Sequence, residues 1–273
     1  MRGFSLKNTV KDGIIQPGKP HFNNGETNRC EWGIVKHLKT LYNETTKRTR
    51  SERMEAAFCA YGIERSYGKH CILKNCSIEA ARGECVGIAG RNGSGKSTLL
   101  SVLAGAARPE KGELRYLDRD LLKSLRDISS VVAYVPQTNP LIEELTAEEN
   151  LRLLGGRRVK MEEAVLRKLQ IGEFFSKKVK ELSGGMKRRL SIACALTEPR
   201  PVLIMDEPTS ALDLYQKEII SDYLSSYLED GGIVVMATHD VEEMRFCDRL
   251  YLISDGTSGV CSVEQAVSTI KGV

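Results

Sequence analysis

From residue 56 onward, short apolar runs rich in β-branched residues alternate with longer stretches in which apolar positions recur every three or four residues. Such short runs are typical of strands buried on both faces of a parallel sheet, and the longer periodicity is typical of amphipathic helices. Their alternation predicts a layered α/β domain. We expect strands at residues 56–61, 72–78, 84–89, 131–135, 202–205, 233–238 and 250–253, and helices at residues 96–105, 147–154, 161–169, 184–196 and 214–229.

Residues 1–53 have a different pattern, with many polar residues and glycines and without sustained periodicity. Ile34, Leu38 and Leu41 have helical spacing among basic residues, which could form a short amphipathic helix for a membrane surface or a partner. The alternative, which we favour, is a weakly structured extension whose apolar residues cluster by chance. The main domain is then expected at residues 54–273, with Met54 a candidate start of the protein.

Charge and composition argue against a nucleic-acid-binding protein, a membrane-spanning protein and a disulfide-bonded protein. The formal net charge is +4, but residues 1–53 hold 11 Lys and Arg against 5 Asp and Glu, so the main domain is slightly acidic. Such a domain is not expected to bind nucleic acid. No apolar run approaches the roughly 20 residues that cross a bilayer, and the eight cysteines form no CxxC pair. We therefore expect a soluble cytoplasmic protein with reduced cysteines, which reaches a membrane only through a partner.

A glycine-rich segment after the predicted strand at 84–89 matches the pattern G-x-x-x-x-G-K-[ST] and leads into a predicted helix. Its glycines let successive backbone N–H groups point at phosphate, and the helix N-terminus favours negative charge. Lys96 is the candidate cation for the β- and γ-phosphates, and the Ser97 hydroxyl is a candidate Mg²⁺ ligand. The segment consists of Gly90, Arg91, Asn92, Gly93, Ser94, Gly95, Lys96, Ser97 and Thr98.

Three further strand ends carry polar residues. Asp206 and Glu207 follow the apolar run at 202–205, His239 follows the run at 233–238, and Gln137 follows the run at 131–135. Ligands of open α/β sheets bind outside the carboxyl ends of the strands, so these side chains are expected to face the phosphates. We assign Asp206 to the metal, Glu207 to the attacking water, and Gln137 to metal or water. A neutral His239 imidazole can bridge the γ-phosphate and the Glu207 carboxylate.

A second glycine-containing loop precedes the predicted helix at 184–196. Ser183 and the N–H groups of Gly184 and Gly185 form a candidate anion site at the N-terminus of that helix. A simple helix cap would explain Ser183 but not the two glycines. Two phosphate-binding loops far apart in one sequence are explained if each nucleotide is held by the first loop of one subunit and the second loop of another.

Together these motifs resemble those of the nucleotide-binding subunits of ABC transporters, from about residue 56 to residue 262 and in the family's order. The Walker A loop matches residues 90–98, and Walker B matches residues 202–206 with Glu207 as the catalytic carboxylate. The resemblance implies a P-loop NTPase fold with a mainly parallel sheet, an N-terminal antiparallel β subdomain and a small helical subdomain at about residues 138–185. The other family motifs match Gln137 (Q-loop), residues 182–185 (signature), residues 210–213 (D-loop), His239 (switch histidine) and Tyr67 (stacking on adenine).

The resemblance also implies ATP and Mg²⁺ as cofactors, hydrolysis to ADP and phosphate, and a head-to-tail dimer in which Asp213 couples two composite sites. Its partners are a second ATP-binding subunit, identical or related, and a transmembrane permease at the inner face of the cell membrane. The residues after the signature, Met186 to Arg189, are similar to those of exporters, so we expect export. The alternatives are a soluble ABC-type ATPase in cofactor assembly and a regulatory subunit without turnover; intact Lys96, Glu207 and His239 argue against the latter. The transported substrate is not encoded in this chain.

Overall fold

The computed structural model describes residues 9–11, 14–16, 56–117, 119–155 and 163–272. The chain divides into two units, Met1–Arg53 and Met54–Val273. In the first unit, strands β1 (Thr9–Lys11) and β2 (Ile14–Gln16) pair antiparallel. The candidate amphipathic helix near residues 34–42 and the candidate start Met54 lie outside the described residues.

The described part of the second unit contains one ten-stranded sheet, with the spatial order β7-β6-β3-β4-β12-β11-β5-β10-β9-β8. One side of this sheet is antiparallel: β3 pairs with both β4 and β6, and β6 pairs with β7. In the other part, β11, β5, β10, β9 and β8 run parallel. The strands are β3 (Phe58–Tyr67), β4 (His70–Ala80), β5 (Cys85–Ala89), β6 (Lys111–Tyr116), β7 (Arg119–Asp120), β8 (Val132–Val135), β9 (Val202–Asp206), β10 (Ile233–Ala237), β11 (Arg249–Ser254) and β12 (Thr257–Val260).

Helices connect the parallel strands and cover the sheet. Strands and helices alternate as the sequence predicts, and they form a layered α/β domain whose sheet has a parallel part and an antiparallel part. The helices are α1 (Lys96–Leu103), α2 (Leu125–Val131), α3 (Ala147–Gly155), α4 (Glu163–Lys168), α5 (Gly184–Ala195), α6 (Leu214–Glu229), α7 (Val241–Phe246) and α8 (Val263–Lys271). In this unit the sequence did not predict the strands β6, β7 and β12 or the helices α2, α7 and α8.

The two faces of the parallel sheet pack into two hydrophobic clusters because side chains alternate between the faces of a strand. On β9, Val202 and Ile204 join the cluster that contains α1, whereas Leu203 and Met205 join the cluster that contains α5 and α6. Every residue of β5, β9 and β10 is buried. This burial on both faces explains why the runs at 202–205 and 233–238 are continuously apolar rather than alternating.

The helices that the structure describes include none that is both long enough and apolar enough to cross a membrane.

Candidate active site

Four neighbouring strands bring the predicted site residues to one edge of the sheet. The strands β5, β10, β9 and β8 are adjacent and parallel, so their carboxyl ends lie together. At or just beyond these ends lie Gly90, His239, Asp206 with Glu207, and Gln137, respectively. Residues separated by more than a hundred positions in sequence thus meet at the place where α/β sheets bind ligands.

The glycine-rich loop between β5 and α1 is a close-packed cradle. A Cβ atom at Gly90 would lie 2.6 Å from Ser94 Oγ and 2.7 Å from the Ile253 carbonyl oxygen, so no larger residue fits there. Gly93 and Gly95 have φ values of 79° and 105°, a region that side chains other than glycine rarely adopt. The loop conformation therefore requires the glycines that the sequence motif contains.

Lys96 is the first residue of α1 and lies across this loop. Its Nζ donates hydrogen bonds to the carbonyl oxygens of Gly90 (2.8 Å) and Arg91 (3.1 Å). The residue is only 7% exposed, and burial lowers its pKa, although Glu207 and Asp206 oppose that shift. Ser94 Oγ is buried and has no hydrogen-bond partner among the described residues. A buried cation and an unpaired hydroxyl beside exposed backbone fit a bound phosphate chain.

Asp206 ends β9 and is 4% exposed. Burial raises the pKa of its carboxyl group, and a hydrogen bond with the Ser97 side chain partly offsets this rise. A hydroxyl and a carboxylate in contact are the hard oxygen ligands that Mg²⁺ prefers, so the donor set fits this ion. Within the described ranges, no group of three or more His, Cys, Asp or Glu side chains forms a metal site.

The Glu207 carboxylate has a different partner on each oxygen. His239 Nδ1 lies 2.9 Å from Oε1, and Gln137 Nε2 donates to Oε2 over 3.0 Å. The Glu207 side chain is 15% exposed, and its backbone has a φ of 47°. A left-handed conformation in a residue other than glycine costs on the order of 1–3 kcal/mol and is common at functional sites. The contact between His239 and the carboxylate agrees with the sequence prediction, whereas the contact of Gln137 with Glu207 was not expected.

The other predicted nucleotide ligands differ in how far they are exposed to solvent. Arg91, Asn92 and Gly93 are exposed, and Thr98 is half-buried in α1. Tyr67, the last residue of β3, is 50% exposed, and the Arg65 guanidinium lies 4.9 Å from its ring centroid. A cation over one face of the ring holds its orientation and is compatible with stacking of a base on the other.

The second glycine loop lies at the N-terminus of α5. Ser183 caps the helix by accepting a hydrogen bond from Met186 N, and a Cβ atom at Gly184 would meet only open space. At Gly185 a Cβ atom would lie 2.4 Å from Gln216 Cγ on α6. Close packing against Gln216 therefore explains why residue 185 is a glycine. Of the two glycines, Gly184 is the one whose backbone is open to a ligand from outside the chain. Asp213 has an analogous role, because its Oδ1 caps α6 by accepting from Gln216 N.

Sequence reasoning missed two side chains that hold this site together. Glu243 on α7 accepts hydrogen bonds from Thr209 N (2.9 Å) and Thr209 Oγ1 (2.6 Å), so α7 is joined to the segment after Glu207. Arg188 on α5 is buried and donates only to backbone carbonyl oxygens near the site. The run of basic residues at 187–189 was a usable signal, because three consecutive residues span about 200° of a helix, so one of them is easily turned towards the protein.

The sequence model of the ABC transporter family matches residues 73–210, which is half of the chain. The chain belongs to the ABC transporter family. Two similar curated proteins are named Nod factor export ATP-binding protein I. The one from Bradyrhizobium diazoefficiens is 38% identical over 203 residues, covering 71% of this chain and 66% of that protein. The one from Paraburkholderia xenovorans is 39% identical over 211 residues, covering 74% and 69%. The match thus spans about two thirds of the length of these relatives.

Solved structures of ABC cassettes share the fold. A cassette in its ADP conformation has a TM-score of 0.69 at 23% identity over 79% of this chain and 95% of that chain. A dimeric bacterial ABC transporter cassette has a TM-score of 0.64 at 32% identity over 73% and 95%. Its dimeric post-hydrolysis form, bound to ADP and phosphate, has a TM-score of 0.64 at 30% identity over 74% and 98%. The resemblance that the motifs of this ABC cassette indicated is therefore confirmed.

Proposed function

We propose that this chain is the ATP-hydrolysing subunit of an ABC exporter and drives a separate membrane subunit. The observation that carries the proposal is the Glu207 carboxylate, which His239 and Gln137 hold at the same sheet edge as Lys96 and Asp206. The names of the similar export ATP-binding proteins support transport over the soluble alternative in cofactor assembly, and support export as its direction.

In this proposal the P-loop binds the triphosphate. Lys96 exchanges its hydrogen bonds to the Gly90 and Arg91 carbonyl oxygens for phosphate oxygens, and Ser94 Oγ gains a partner. Ser97 and Asp206, with Gln137 at their side, would hold Mg²⁺, which neutralises charge on the phosphates. Tyr67 would stack on adenine, a contact of about 1 kcal/mol. The remaining loop residues supply backbone N–H groups.

Glu207 acts on the attacking water. His239 and Gln137 each contact one oxygen of the Glu207 carboxylate, which therefore has little freedom to rotate. A carboxylate in a fixed orientation can accept a proton from a water molecule bound at one defined position. With Nδ1–H donating to the Glu207 carboxylate, His239 Nε2 is left for the γ-phosphate, and it donates there when both ring nitrogens carry a proton. These side chains thus position the water and accept its proton, while Lys96 and Mg²⁺ would supply the electrostatic stabilisation that phosphoryl transfer needs.

Two copies, or two related subunits, would form a head-to-tail dimer with ATP between them. Ser183, Gly184 and Gly185 of one subunit would contact the γ-phosphate bound to the P-loop of the other, and Asp213 would couple the two sites. The dimeric cassettes at 30% and 32% identity support this arrangement. Nucleotide contacts from both sides favour the closed dimer, and hydrolysis removes that preference.

The proposal extends to the domains of the chain. Residues 54–273 would form the ATP-binding domain, in which a helical subdomain at about residues 138–185 receives the membrane subunit. Exposed apolar side chains of this segment, including Ile142, Leu153 and Leu154, support such a contact. The protein would then work at the inner face of the cell membrane, with residues 1–53 as an extension outside the catalytic domain.

The decisive variant is Glu207→Gln, which keeps the shape of the side chain and removes its basicity. We expect phosphate release to fall on the order of 10²- to 10⁴-fold, with MgATP binding retained in calorimetry. The matched control is Glu242→Gln, an exposed glutamate on α7, which should hydrolyse ATP like the wild type. Unchanged phosphate release by Glu207→Gln would remove Glu207 from its proposed role.

The same variant tests the dimer. With saturating MgATP, Glu207→Gln should elute as a dimer and have twice the monomer mass in light scattering, because the nucleotide persists between the two loops. A preparation that stays monomeric, with its membrane partner present, would contradict the shared site.

A further inference from the structure

Two consecutive arginines on α5 point to opposite parts of the cassette. Arg188 is 4% exposed and Arg189 is 0% exposed, so both guanidinium groups are removed from water. Helix α5 begins directly after Ser183, and Arg188 therefore lies about 7 Å along the helix from the signature loop. Neither arginine has a place in the catalytic scheme above, although burying a charged group has a substantial cost.

Arg188 donates hydrogen bonds to four backbone carbonyl oxygens. Its Nε binds the Pro208 oxygen at 3.0 Å, and its Nη2 binds the oxygens of Asp206 at 2.6 Å and Glu207 at 3.2 Å. Its Nη1 binds the oxygen of Pro136. All three nitrogen atoms of the guanidinium are thus used, and every acceptor belongs to a segment next to the candidate catalytic side chains.

A guanidinium is the group that this arrangement requires. Its N–H groups diverge in one plane and can reach carbonyls on two separate segments, whereas the ammonium of lysine is a single point. Burial lowers the pKa of Arg188 to about 10, while Glu243 and Asp206 oppose the shift, so the group stays charged at neutral pH. Charged donors give the stronger hydrogen bonds to carbonyl oxygen.

The bound carbonyls determine where the catalytic carboxylate lies. Pro136 immediately precedes Gln137, which donates to the Glu207 side chain, and Asp206 to Pro208 form the turn in which Glu207 has its left-handed conformation. Arg188 therefore holds the backbone of the carboxylate and the backbone of one of its two hydrogen-bond partners. The turn needs such support because its conformation is intrinsically unfavourable.

Arg189 has a different environment. Its Nη1 donates to the Leu169 carbonyl oxygen and to Gln170 Oε1, and its guanidinium lies 5.1 Å from the ring centroid of Phe174. It also pairs with Glu173 at 3.4 Å. These partners belong to the segment between α4 and α5, away from Glu207 in sequence and in contacts. Arg189 therefore fixes α5 to the helical segment, and Arg188 fixes α5 to the catalytic edge.

We propose that Arg188 is a positioning residue for ATP hydrolysis, which keeps Gln137 and the Glu207 turn in register with the signature helix of the same chain. The inference rests on the proposed function. Because α5 carries the signature loop at its N-terminus, a displacement of that loop by a nucleotide on the partner is transmitted through Arg188 to the Glu207 backbone. The catalytic carboxylate of one site then senses occupancy of the other.

The test compares Arg188→Met, Arg188→Lys and the matched control Lys187→Gln in the full-length chain. Lys187 is the preceding residue of α5 and pairs with Glu143 at the surface. For Arg188→Met we expect kcat to fall about 10- to 100-fold with the nucleotide Kd changed by less than about threefold. Arg188→Lys should restore part of kcat, and Lys187→Gln should match the wild type. A merely structural role would weaken nucleotide binding together with turnover.

Hydrogen exchange of the nucleotide-free chain tests the same contacts without turnover. The amides of Gln137, Glu207 and Thr209 should exchange faster in Arg188→Met than in the wild type, and Lys187→Gln should leave them unchanged. If the methionine variant does not fold, the lysine variant decides, with an expected kcat about 3- to 10-fold below the wild type and faster exchange.

A folded Arg188→Met variant with wild-type kcat would overturn the inference. If that variant does not fold, wild-type kcat in Arg188→Lys would overturn it instead. Unchanged hydrogen exchange at the amides of Gln137, Glu207 and Thr209 would overturn it as well. A wild-type chain without ATP turnover would instead contradict the proposed function, and the exchange comparison would still decide the role of Arg188.

Discussion

The P-loop edge and the signature loop are both glycine-rich and both lie at helix N-termini, but they differ in how their polar groups are used. At the P-loop, Lys96 is buried over backbone carbonyls and Ser94 Oγ lacks a partner among the described residues. At the signature loop, Ser183 already caps α5, and Gly184 faces open space. The first region is built to surround a ligand, and the second presents an open terminus for contact from outside.

This difference indicates which part of the nucleotide site one chain forms alone and which part needs a second chain. The P-loop edge combines a cation, oxygen ligands and a held carboxylate from four adjacent strands. The signature loop contributes backbone N–H groups at one helix end, which is a weak anion site alone and becomes effective when a second surface supplies the phosphate. The comparison predicts that P-loop variants impair nucleotide binding by the isolated chain, whereas variants on the open side of the signature loop impair turnover only in the assembled one.

The largest effect is expected for Lys96→Ala. Removal of the buried ammonium should weaken MgATP binding at least about 100-fold, because among the described residues only Lys96 donates a side-chain hydrogen bond to the carbonyl oxygens of Gly90 and Arg91. Calorimetry on the full-length chain measures the loss. Lys187→Ala serves as the control, since Lys187 binds Glu143 at the surface. Wild-type affinity in Lys96→Ala would contradict the assignment of the P-loop.

A matched pair of glycine variants separates the open and the packed side of the signature loop. Gly184→Ala should lower turnover about tenfold and leave the free energy of unfolding unchanged or slightly higher, since alanine is the better helix former. Gly185→Ala should lower the free energy of unfolding by about 1 kcal/mol, because its methyl group displaces the Gln216 side chain. Urea unfolding and phosphate release measure the two effects. Equal behaviour of both variants would remove the distinction between the two sides.

Asp206→Asn should stabilise the nucleotide-free chain at neutral pH while lowering Mg²⁺-dependent turnover. Burial raises the native pKa of Asp206 above its unfolded value, although Ser97 opposes the shift. Stability from this group is complete below the unfolded pKa and is lost as pH rises through the native pKa. The variant should lose this part of the pH dependence in urea unfolding.

Asp240 provides the control of opposite sign. Burial acts to raise its pKa, but hydrogen bonds from Lys217 and the backbone of Glu242 outweigh burial and lower it. Its stabilisation is present above the unfolded pKa and is lost as pH falls through the native pKa. Asp240→Asn should therefore destabilise the chain at neutral pH. The same sign for both asparagine variants would show that burial does not govern Asp206.

The smallest effect is expected from deletion of residues 1–53. All of the candidate site residues belong to the unit Met54–Val273, so ATP turnover and the unfolding midpoint should stay within error of the full chain. Circular dichroism and phosphate release compare the two proteins. Loss of folding on deletion would show that the first unit contributes to the ATP-binding domain.

The sequence predicted the parallel strands well, because β9 and β10 are buried on both faces and their apolar runs are continuous. It did not predict β6, β12 or α7, which are short and carry few apolar residues. Such elements form because partners across the sheet or the helix layer complete their hydrogen bonds and packing. Local pattern holds little information on those partners.

By itself, the sequence determined the phosphate loop, the family and the identity of most candidate site residues, because glycines with unusual backbone angles and acids after buried strands are local requirements. Only the tertiary structure decided that Gln137 binds Glu207 and that Gly185 packs on Gln216. It also decided that Arg188 donates to the carbonyls of two separate segments. Those roles depend on distances between elements far apart in the chain, and such distances are set by how the helices and the sheet pack.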